Sequence, residues 1–402
     1  METVTREPSR RLAALDGLRG VAALIVVFYH LSLVARPFLS ADQWAWLTRS
    51  PLKLLTAGTE SVLVFFVLSG LVVALPALRD GFGWLGYYGG RMLRLYLPVW
   101  ASLALVAVSI ALLPRDPASV TPDSWLLRGN AETISWPQLF QEASLWKASY
   151  DVNNVLWSLR WELVFSLALP LFIIAARALQ RTWVFAASLA VVATVTGRLV
   201  DVDALVYLPV FFLGTLMAVR LPELRAAVGA WPWWGRLGLG VASSALLIAS
   251  WLARPLEGAI SADLLWGLAG PGAAGLVIVA IASPTAERVL SSPFPAWLGR
   301  VSFSLYLVQL PVIGTLAFAL GDANWPIIVA AAIPGSLLLA WLFHKGVEVP
   351  SHRLAKLVAR KLNQLSSTES TLPAGSVNQQ MTGPHEGSAG RAMPRSSVNS
   401  PS

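Results

Sequence analysis

The sequence predicts an all-α fold, a polytopic membrane helix bundle of about ten transmembrane helices. Of the 402 residues, 55% are hydrophobic and only 13% are charged, whereas an ordinary soluble domain has roughly a quarter charged residues. The chain also carries 18 Trp and 26 Pro. Trp gathers at membrane interfaces, and transmembrane helices tolerate Pro better than soluble helices do. Lipid is therefore the expected surrounding of most of the chain.

Ten segments are predicted to span the membrane. A transmembrane helix needs about 20 mostly apolar residues to cross roughly 30 Å of hydrocarbon. The predicted spans are residues 12–34, 59–78, 93–113, 155–176, 183–200, 204–219, 237–252, 264–282, 301–320 and 327–343. The fifth, sixth and seventh are short or interrupted. We expect a cytoplasmic N-terminal segment (1–11), a transmembrane domain (12–354) and a cytoplasmic, largely disordered tail (355–402).

The distribution of charge predicts the orientation of these spans. With the N-terminus in the cytoplasm, Lys and Arg concentrate on the cytoplasmic ends and loops, as the positive-inside rule requires. This predicts a multi-pass protein of the plasma membrane with both termini in the cytoplasm, and residues 114–154 form its one sizeable outer loop. A cleaved signal peptide is the alternative for the first apolar run. That run is long enough to span, and no small-x-small cleavage site follows it.

Composition excludes several classes of chemistry. The absence of Cys excludes disulfides, thiol catalysis and the Cys-rich zinc motifs. The net charge of +8 could suggest nucleic acid as a partner, but no basic stripe with interleaved aromatic residues accompanies it. We expect neither a metal nor a nucleic acid partner.

Two ionisable side chains of the first span point to a functional site. Charged groups inside a membrane are costly, so each is a candidate for function. Arg19 lies near the cytoplasmic end and His30 near the outer end. Eleven residues make about three helical turns, so both face one side, about 16 Å apart along the axis. The arrangement suits a long anionic thioester donor, although Arg19 can also serve topology and His30 can pack against a polar neighbour.

A second ionisable pair, Arg160 and Glu162, lies one to two turns into the fourth span, at a depth similar to that of His30. A carboxylate and an imidazole at one level can form a proton-transfer pair. In this hypothesis His30 takes a proton from an acceptor hydroxyl and Glu162 orients or charge-balances the imidazole. The alternative is a structural contact of Arg160 with Glu162 or with His30.

Further polar and small residues of the spans are candidates for binding or for helix packing. Arg91 and Arg94 lie three residues apart at the cytoplasmic end of the third span, and they can bind phosphate groups or anionic lipid headgroups. Ser69 and Gly70, at mid-membrane depth, predict close helix packing. Gln309 in the ninth span must find polar partners and can line the same cavity.

Six motifs in order resemble the acyltransferase family 3 membrane proteins across roughly residues 11–354. They are Arg-x10-His in LDGLRGVAALIVVFYH, then FFVLSG, RMLRLYLP, WSLRWE, VSFSLYL and VEVP. The resemblance implies a bundle of about ten helices with acyltransferase activity. It implies transfer of an acetyl or other short acyl group from acyl-CoA to a hydroxyl of a saccharide or glycosylated small-molecule acceptor.

The resemblance also implies residue roles. His30 and Glu162 would be catalytic, and Arg19, Arg91 and Arg94 would bind acetyl-CoA or another acyl-CoA. The candidates for substrate binding are Trp157, Ser158, Arg160, Gln309 and Tyr306. Glu348 would be a family-type position of undefined role, and from its own surroundings it is expected to form an ion pair at a helix end.

The sequence departs from the family pattern at two positions. Gln309 stands where many relatives have a His, and Leu163 stands where many have a second acidic residue. Any mechanism that needs a second imidazole is therefore in doubt. Two alternatives to the enzyme remain at this point. One is a multi-span transporter, for which the two halves lack internal symmetry, and the other is a non-catalytic glycan-assembly factor.

Overall fold

The structure is a computed structural model that describes residues 7–146, 150–256 and 262–371. Within these ranges the chain forms α-helices joined by loops and short 3₁₀ turns, and it contains no β-strand. The predicted all-α helix bundle is thereby confirmed.

Nine helices lie in the first half of the chain. They are α1 (Glu7–Ala35), α2 (Ala41–Thr48), α3 (Gly58–Ala77), α4 (Trp84–Leu112), α5 (Trp125–Gly129), α6 (Trp136–Ser144), α7 (Leu156–Ala178), α8 (Trp183–Leu199) and α9 (Asp203–Val219).

Nine more follow in the second half. They are α10 (Leu221–Gly229), α11 (Trp233–Leu247), α12 (Ala249–Leu252), α13 (Ala262–Trp266), α14 (Ala269–Ala282), α15 (Pro284–Leu290), α16 (Pro293–Leu320), α17 (Trp325–Phe343) and α18 (Val349–Thr371). A π-helical turn, His344–Glu348, joins α17 to α18.

Eight helical stretches of the described residues are long and apolar enough to cross a membrane. The number becomes nine if α9 and α10, which meet at a bend of 79°, count as one span. Each of the ten predicted segments contains a helix. The seventh, α11, has 15 residues and is about 22 Å long, shorter than the hydrocarbon core. Length therefore reduces the predicted count of about ten to eight or nine.

Helices α1 and α16 pack side by side along the middle of the bundle. Gly20 of α1 faces Leu298 and Gly299 of α16, and Gly299 in turn faces the backbone of Asp16; a Cβ at either glycine would overlap these atoms. Only glycine permits so close an approach. The contact aligns the beginnings of the two helices at the same end of the bundle.

Gly70 of α3 and Gly214 of α9 form a second close crossing. A Cβ on Gly70 would overlap the carbonyl oxygen of Phe211, and one on Gly214 would overlap that of Val67. The predicted role of Gly70 in close helix packing is confirmed. Its neighbour Ser69 has a different role, because its hydroxyl donates to Glu162.

The last helix, α18, packs on the beginning of α4. The backbone N–H of Gly86 donates to Oδ1 of Asn363 at 2.9 Å, and Gly90 lies against Ala355 and Ala359. The helix runs unbroken across residue 354, where the tail was predicted to begin. Its outward residues include both basic side chains and the exposed Leu354 and Leu357, while its small inward residues dock on glycines. Residues 372–402 of the predicted tail lie outside the described residues.

The bundle has two ends, which we call the tail end and the loop end. The tail end carries the beginnings of α1 and α4 together with α18, and the loop end carries residues 114–154.

The loop is held together by a buried carboxylate. Glu142 is buried and accepts the N–H groups of Val152 and Asn153 at 2.7 and 3.0 Å. Burial raises the pKa of the Glu142 carboxyl. Asn153 also donates to the carbonyl of Leu307 at 3.1 Å, which fixes the loop to α16.

Candidate functional site

A cavity of about 530 Å³ opens among α3, α4, α7, α16 and α18. Its lining includes Gly83 and Asn363 at the tail end, which we call its mouth, and Phe65 and Tyr306 at the opposite end, which we call its blind end. Because α3 runs from the loop end to the tail end, Phe65 lies about 16 Å deeper than Pro76, which is also in the wall. The cavity therefore reaches from the tail end well into the bundle.

Six of the predicted site residues line this cavity. They are Arg19, Arg91, Arg94, Ser158, Glu162 and Tyr306. Much of the remaining wall is apolar, formed by residues such as Phe65, Phe66, Val72, Leu95 and Phe303. The cavity thus combines charged groups with a hydrophobic interior, as small-molecule sites commonly do.

Arg91 and Glu162 form an ion pair inside the cavity. Nε of Arg91 donates to Oγ of Ser166 at 3.0 Å, and the Ser69 hydroxyl donates to Oε1 of Glu162 at 2.7 Å. The side chains of Arg91 and Glu162 are 17% and 18% exposed, so their charges largely balance each other. Oε1 of Glu162 contacts Arg91 and Ser69, whereas the hydrogen bond of His30 is with Gln309, so the predicted contact of Glu162 with His30 is not seen in the structure.

Arg94 lies one turn further along α4 than Arg91. It interacts electrostatically with Arg19, Glu348 and Glu162, and it forms no salt bridge with any residue that the structure describes. Arg19 forms an ion pair with Asp16 on its own helix, and its side chain remains 36% exposed. Arg94 is therefore a cavity cation whose charge is available to a ligand.

Glu348 lies in the cavity wall, at the end of the π-helical turn. Its Oε2 accepts from Ser304 at 2.6 Å and lies 3.0 Å from Nδ1 of His344, while its Oε1 lies 3.9 Å from Nε2 of His352. Where an ion pair was predicted at a helix end, the carboxylate contacts a serine and two histidines, and it also lies in the cavity wall. A π-helical turn often marks a functional region.

Sequence reasoning missed His352 and Lys356, which both line the cavity. The signal was available, because Glu348, His352 and Lys356 follow one another at intervals of four residues and so share one helix face. Spacing alone does not show that this face packs against α4, because both residues follow the last apolar run and Lys356 falls in the predicted tail.

The blind end of the cavity is closed by a pair of hydroxyl groups. The oxygens of Ser158 and Tyr306 lie 2.7 Å apart, and Tyr306 also donates to the carbonyl of Val155 at 3.1 Å. The ring of Phe65 packs edge-on against Tyr306, with centroids 5.6 Å apart. These groups are the deepest polar atoms in the cavity wall.

His30 lies outside the cavity wall. Its Nδ1 is 3.0 Å from Oε1 of Gln309, and its ring stacks on Trp125 of the loop at a centroid distance of 5.2 Å. Gln309 follows Tyr306 by one turn of α16, so the imidazole lies about one turn beyond the blind end. The expectation of a single cleft shared by Arg19 and His30 is corrected accordingly, since Tyr306 and Ser158 close the cavity first.

Trp157 and Arg160 also lie outside the cavity wall. Trp157 packs against Tyr207 with ring centroids 5.2 Å apart. The guanidinium of Arg160 lies 5.1 Å from the ring of Trp161 and interacts with Tyr150 of the loop. Neither predicted alternative for Arg160, a contact with Glu162 or with His30, accounts for this placement. Both residues remain predictions for acceptor binding.

Comparison with known proteins identifies the chemistry. The acyltransferase domain family matches residues 12–345 of this chain. Acyltransferase MdmB of Streptomyces mycarofaciens is 28% identical over 375 residues, which cover 86% of this chain and 92% of that protein. No solved structure matches the chain. With most of its length in one family match and its helices in a membrane-type bundle, the chain belongs to acyltransferase family 3 and is an acyltransferase.

Proposed function

We propose that this enzyme moves an acetyl or other short acyl group from acyl-CoA to a hydroxyl of a saccharide or glycosylated acceptor. The observation that carries the proposal is the tail-end cavity, with cations in its wall and a hydroxyl pair at its blind, apolar end. A CoA thioester has the matching polarity, since its phosphates lie at one end of the molecule and its acyl group at the other. The tail end would then face the cytoplasm, where acyl-CoA is found.

Arg94 and Arg19 are the proposed donor-binding cations. Arg94 forms no salt bridge with any described residue, and Arg19, although it is paired with Asp16, keeps 36% of its side chain exposed. Charge-assisted hydrogen bonds from guanidinium to phosphate are short and strong. Arg91 contributes less to donor binding because Glu162 already balances its charge. The role of Glu162 in this proposal is therefore to hold Arg91 and Ser69 in position.

His30 is the proposed general base. Gln309 Oε1 accepts the proton of Nδ1, which leaves Nε2 free to take the proton of an acceptor hydroxyl. The acceptor oxygen forms a bond to the thioester carbonyl carbon, and the carbon–sulfur bond then breaks. The CoA thiolate leaves, and the proton held by His30 is returned to it. For the acyl group to meet His30, the hydrogen bond between Ser158 and Tyr306 must open.

The acceptor is proposed to enter from the loop end. His30 is covered there by Trp125 of residues 114–154, and aromatic faces are suitable surfaces for the apolar faces of sugar rings. The saccharide class follows from the family resemblance. Because the chain is an acyltransferase, both the transporter and the non-catalytic assembly factor are set aside.

The experiment is a paired measurement of CoA binding and acyl transfer by the purified full chain in lipid nanodiscs. Wild type should bind CoA, and Arg94→Gln should bind it about tenfold more weakly, the loss of one charged hydrogen bond. Arg353→Gln, on the exposed side of α18, is the matched control and should bind CoA as wild type does. Failure of the wild type to bind CoA would overturn the assignment of the donor.

The same preparations test the proposed role of His30 as general base. With labelled acetyl-CoA and the native membrane glycan fraction as acceptor, His30→Ala should retain CoA binding and lose transfer by about 10²–10⁴-fold. Full transfer by a correctly inserted His30→Ala protein would overturn the mechanism while leaving the donor assignment intact.

A further inference from the structure

The last helix, α18, forms one wall of the donor cavity although the family match ends at residue 345. It contributes His352, Ala355, Lys356, Ala359 and Asn363 to the wall. These positions recur every three or four residues and therefore lie on one face of the helix. The helix presents this face, and not its strongly basic outer face, to the cavity.

Close packing holds α18 in this position. Asn363 accepts the backbone N–H of Gly86 at 2.9 Å, and Gly90 lies against Ala355 and Ala359. The two helices run antiparallel, so that Lys356 lies at the level of Arg91 and His352 at the level of Arg94. Backbone contacts of this kind fix where Lys356 enters the cavity wall.

The positive charge of Lys356 is not paired with a carboxylate in the described part of the chain. Lys356 forms no salt bridge within the described part of the chain, and both Lys356 and Arg94 interact electrostatically with His352. Of the two acidic residues of the cavity wall, Glu162 pairs with Arg91, and Glu348 contacts Ser304 and His344 and lies 3.9 Å from Nε2 of His352. Two cations therefore face the same space near the mouth, which favours a multiply charged anion.

We infer that Lys356 binds the phosphate groups of the donor at the mouth of the cavity, with His352 beside it, so that α18 is part of the donor site. The inference rests on the proposed function, in which the donor is acyl-CoA. The phosphate-bearing end lies between Lys356 and Arg94, and the acyl end extends toward Phe65 and Tyr306.

The test compares two donors on three proteins in nanodiscs of zwitterionic lipid. The donors are acetyl-CoA and acetyl-pantetheine, which has the same thioester arm and no phosphate. The proteins are wild type, Lys356→Gln and the control Arg360→Gln, whose side chain is exposed on the same helix and absent from the cavity wall. Equilibrium dissociation constants are measured for each of the six combinations.

Lys356→Gln should bind acetyl-CoA about tenfold more weakly than wild type, and acetyl-pantetheine equally well. Arg360→Gln should match wild type for both donors. Equal binding of acetyl-CoA by Lys356→Gln and wild type would overturn the inference and leave the proposed function standing. An equal loss for both donors would also overturn it, because the effect would not require phosphate. If wild type fails to bind acetyl-CoA, the proposed function itself fails.

An anionic lipid headgroup also carries phosphate, and an additional experiment distinguishes binding of lipid from binding of the donor. The three proteins are reconstituted with phosphatidylglycerol, and the lipid that remains bound after purification is counted by native mass spectrometry. Unchanged lipid retention together with weakened acetyl-CoA binding assigns Lys356 to the donor. Loss of bound phosphatidylglycerol with unchanged acetyl-CoA binding assigns it to lipid and overturns the inference.

Discussion

Oε1 of Gln309 lies 3.0 Å from Nδ1 of His30, and the histidine ring stacks on Trp125 at its other side. Gln309 and His30 are both buried, with 0% and 7% of their surfaces exposed, respectively. An amide oxygen accepts a hydrogen bond but cannot donate one, so it selects the tautomer with the proton on Nδ1. Gln309 thereby keeps Nε2 unprotonated, the form that a general base requires.

This relationship predicts the behaviour of Gln309 variants. We expect Gln309→Leu to lower kcat about 100-fold, with the KM for the donor unchanged, because Nδ1–H loses its acceptor and the tautomer is no longer fixed. Gln309→Glu restores an acceptor oxygen and should recover much of the loss. Steady-state kinetics of the three proteins give the result, and a wild-type kcat for Gln309→Leu would show that the contact does not orient the base.

The ion pair between Arg91 and Glu162 predicts strong coupling in a double-mutant cycle. Both side chains are more than four-fifths buried, so removal of one leaves the other as an unpaired charge. We expect a coupling free energy of about 2 kcal/mol between Arg91→Ala and Glu162→Ala, measured by denaturant unfolding in mixed micelles.

A second pair serves as the control for that cycle. Arg198 and Asp263 also form an ion pair, but both side chains are 41% exposed. Solvent screening should reduce their coupling free energy to below about 1 kcal/mol. Equal coupling in the two pairs would contradict the argument that burial makes the Arg91 pair important.

The crossing of α3 and α9 predicts that Gly70 cannot be enlarged. We expect Gly70→Ala to destabilise the fold by about 1–3 kcal/mol, because the new Cβ overlaps the carbonyl of Phe211 and pushes the helices apart. Gly238→Ala is the control, since nothing lies within 4 Å of the Cβ that it adds. Thermal unfolding followed by size-exclusion chromatography distinguishes them, and similar midpoints would contradict the close crossing.

The blind end of the cavity predicts that Phe65 limits the length of the acyl group. Phe65→Ala removes the ring that packs on Tyr306 and should raise the kcat/KM ratio of butyryl-CoA to acetyl-CoA by about tenfold, the usual effect of one or two methylenes in a pocket. Val73→Ala, two turns nearer the mouth on the same helix, should leave the ratio unchanged. An equal shift in both variants would place the acyl group elsewhere in the cavity.

The sequence predicted several charged residues of the cavity wall, but it did not predict which residues they contact. The wall residues Arg19, Arg94 and Glu162 were predicted because charges in an apolar span have few roles other than function, and Arg91 was predicted from its spacing of three residues from Arg94. The pairing of Glu162 was not predictable, since depth along a helix does not specify which neighbouring helix faces it. His352 and Lys356 were not predicted for a related reason, because the sequence after the last apolar run does not show which surface that segment packs against.

The sequence by itself determined the class of the protein, the approximate positions of its spans and the family to which it belongs. These follow from composition, apolar length and ordered motifs, all of which are local along the chain. Only the tertiary structure decided that Arg91 pairs with Glu162, that Gln309 holds His30, and that Tyr306 and Ser158 separate the donor cavity from the imidazole. Such contacts join residues up to 279 positions apart in sequence. They depend on helix crossings at glycines, and whether two helices can cross closely is decided by the surfaces of both helices together.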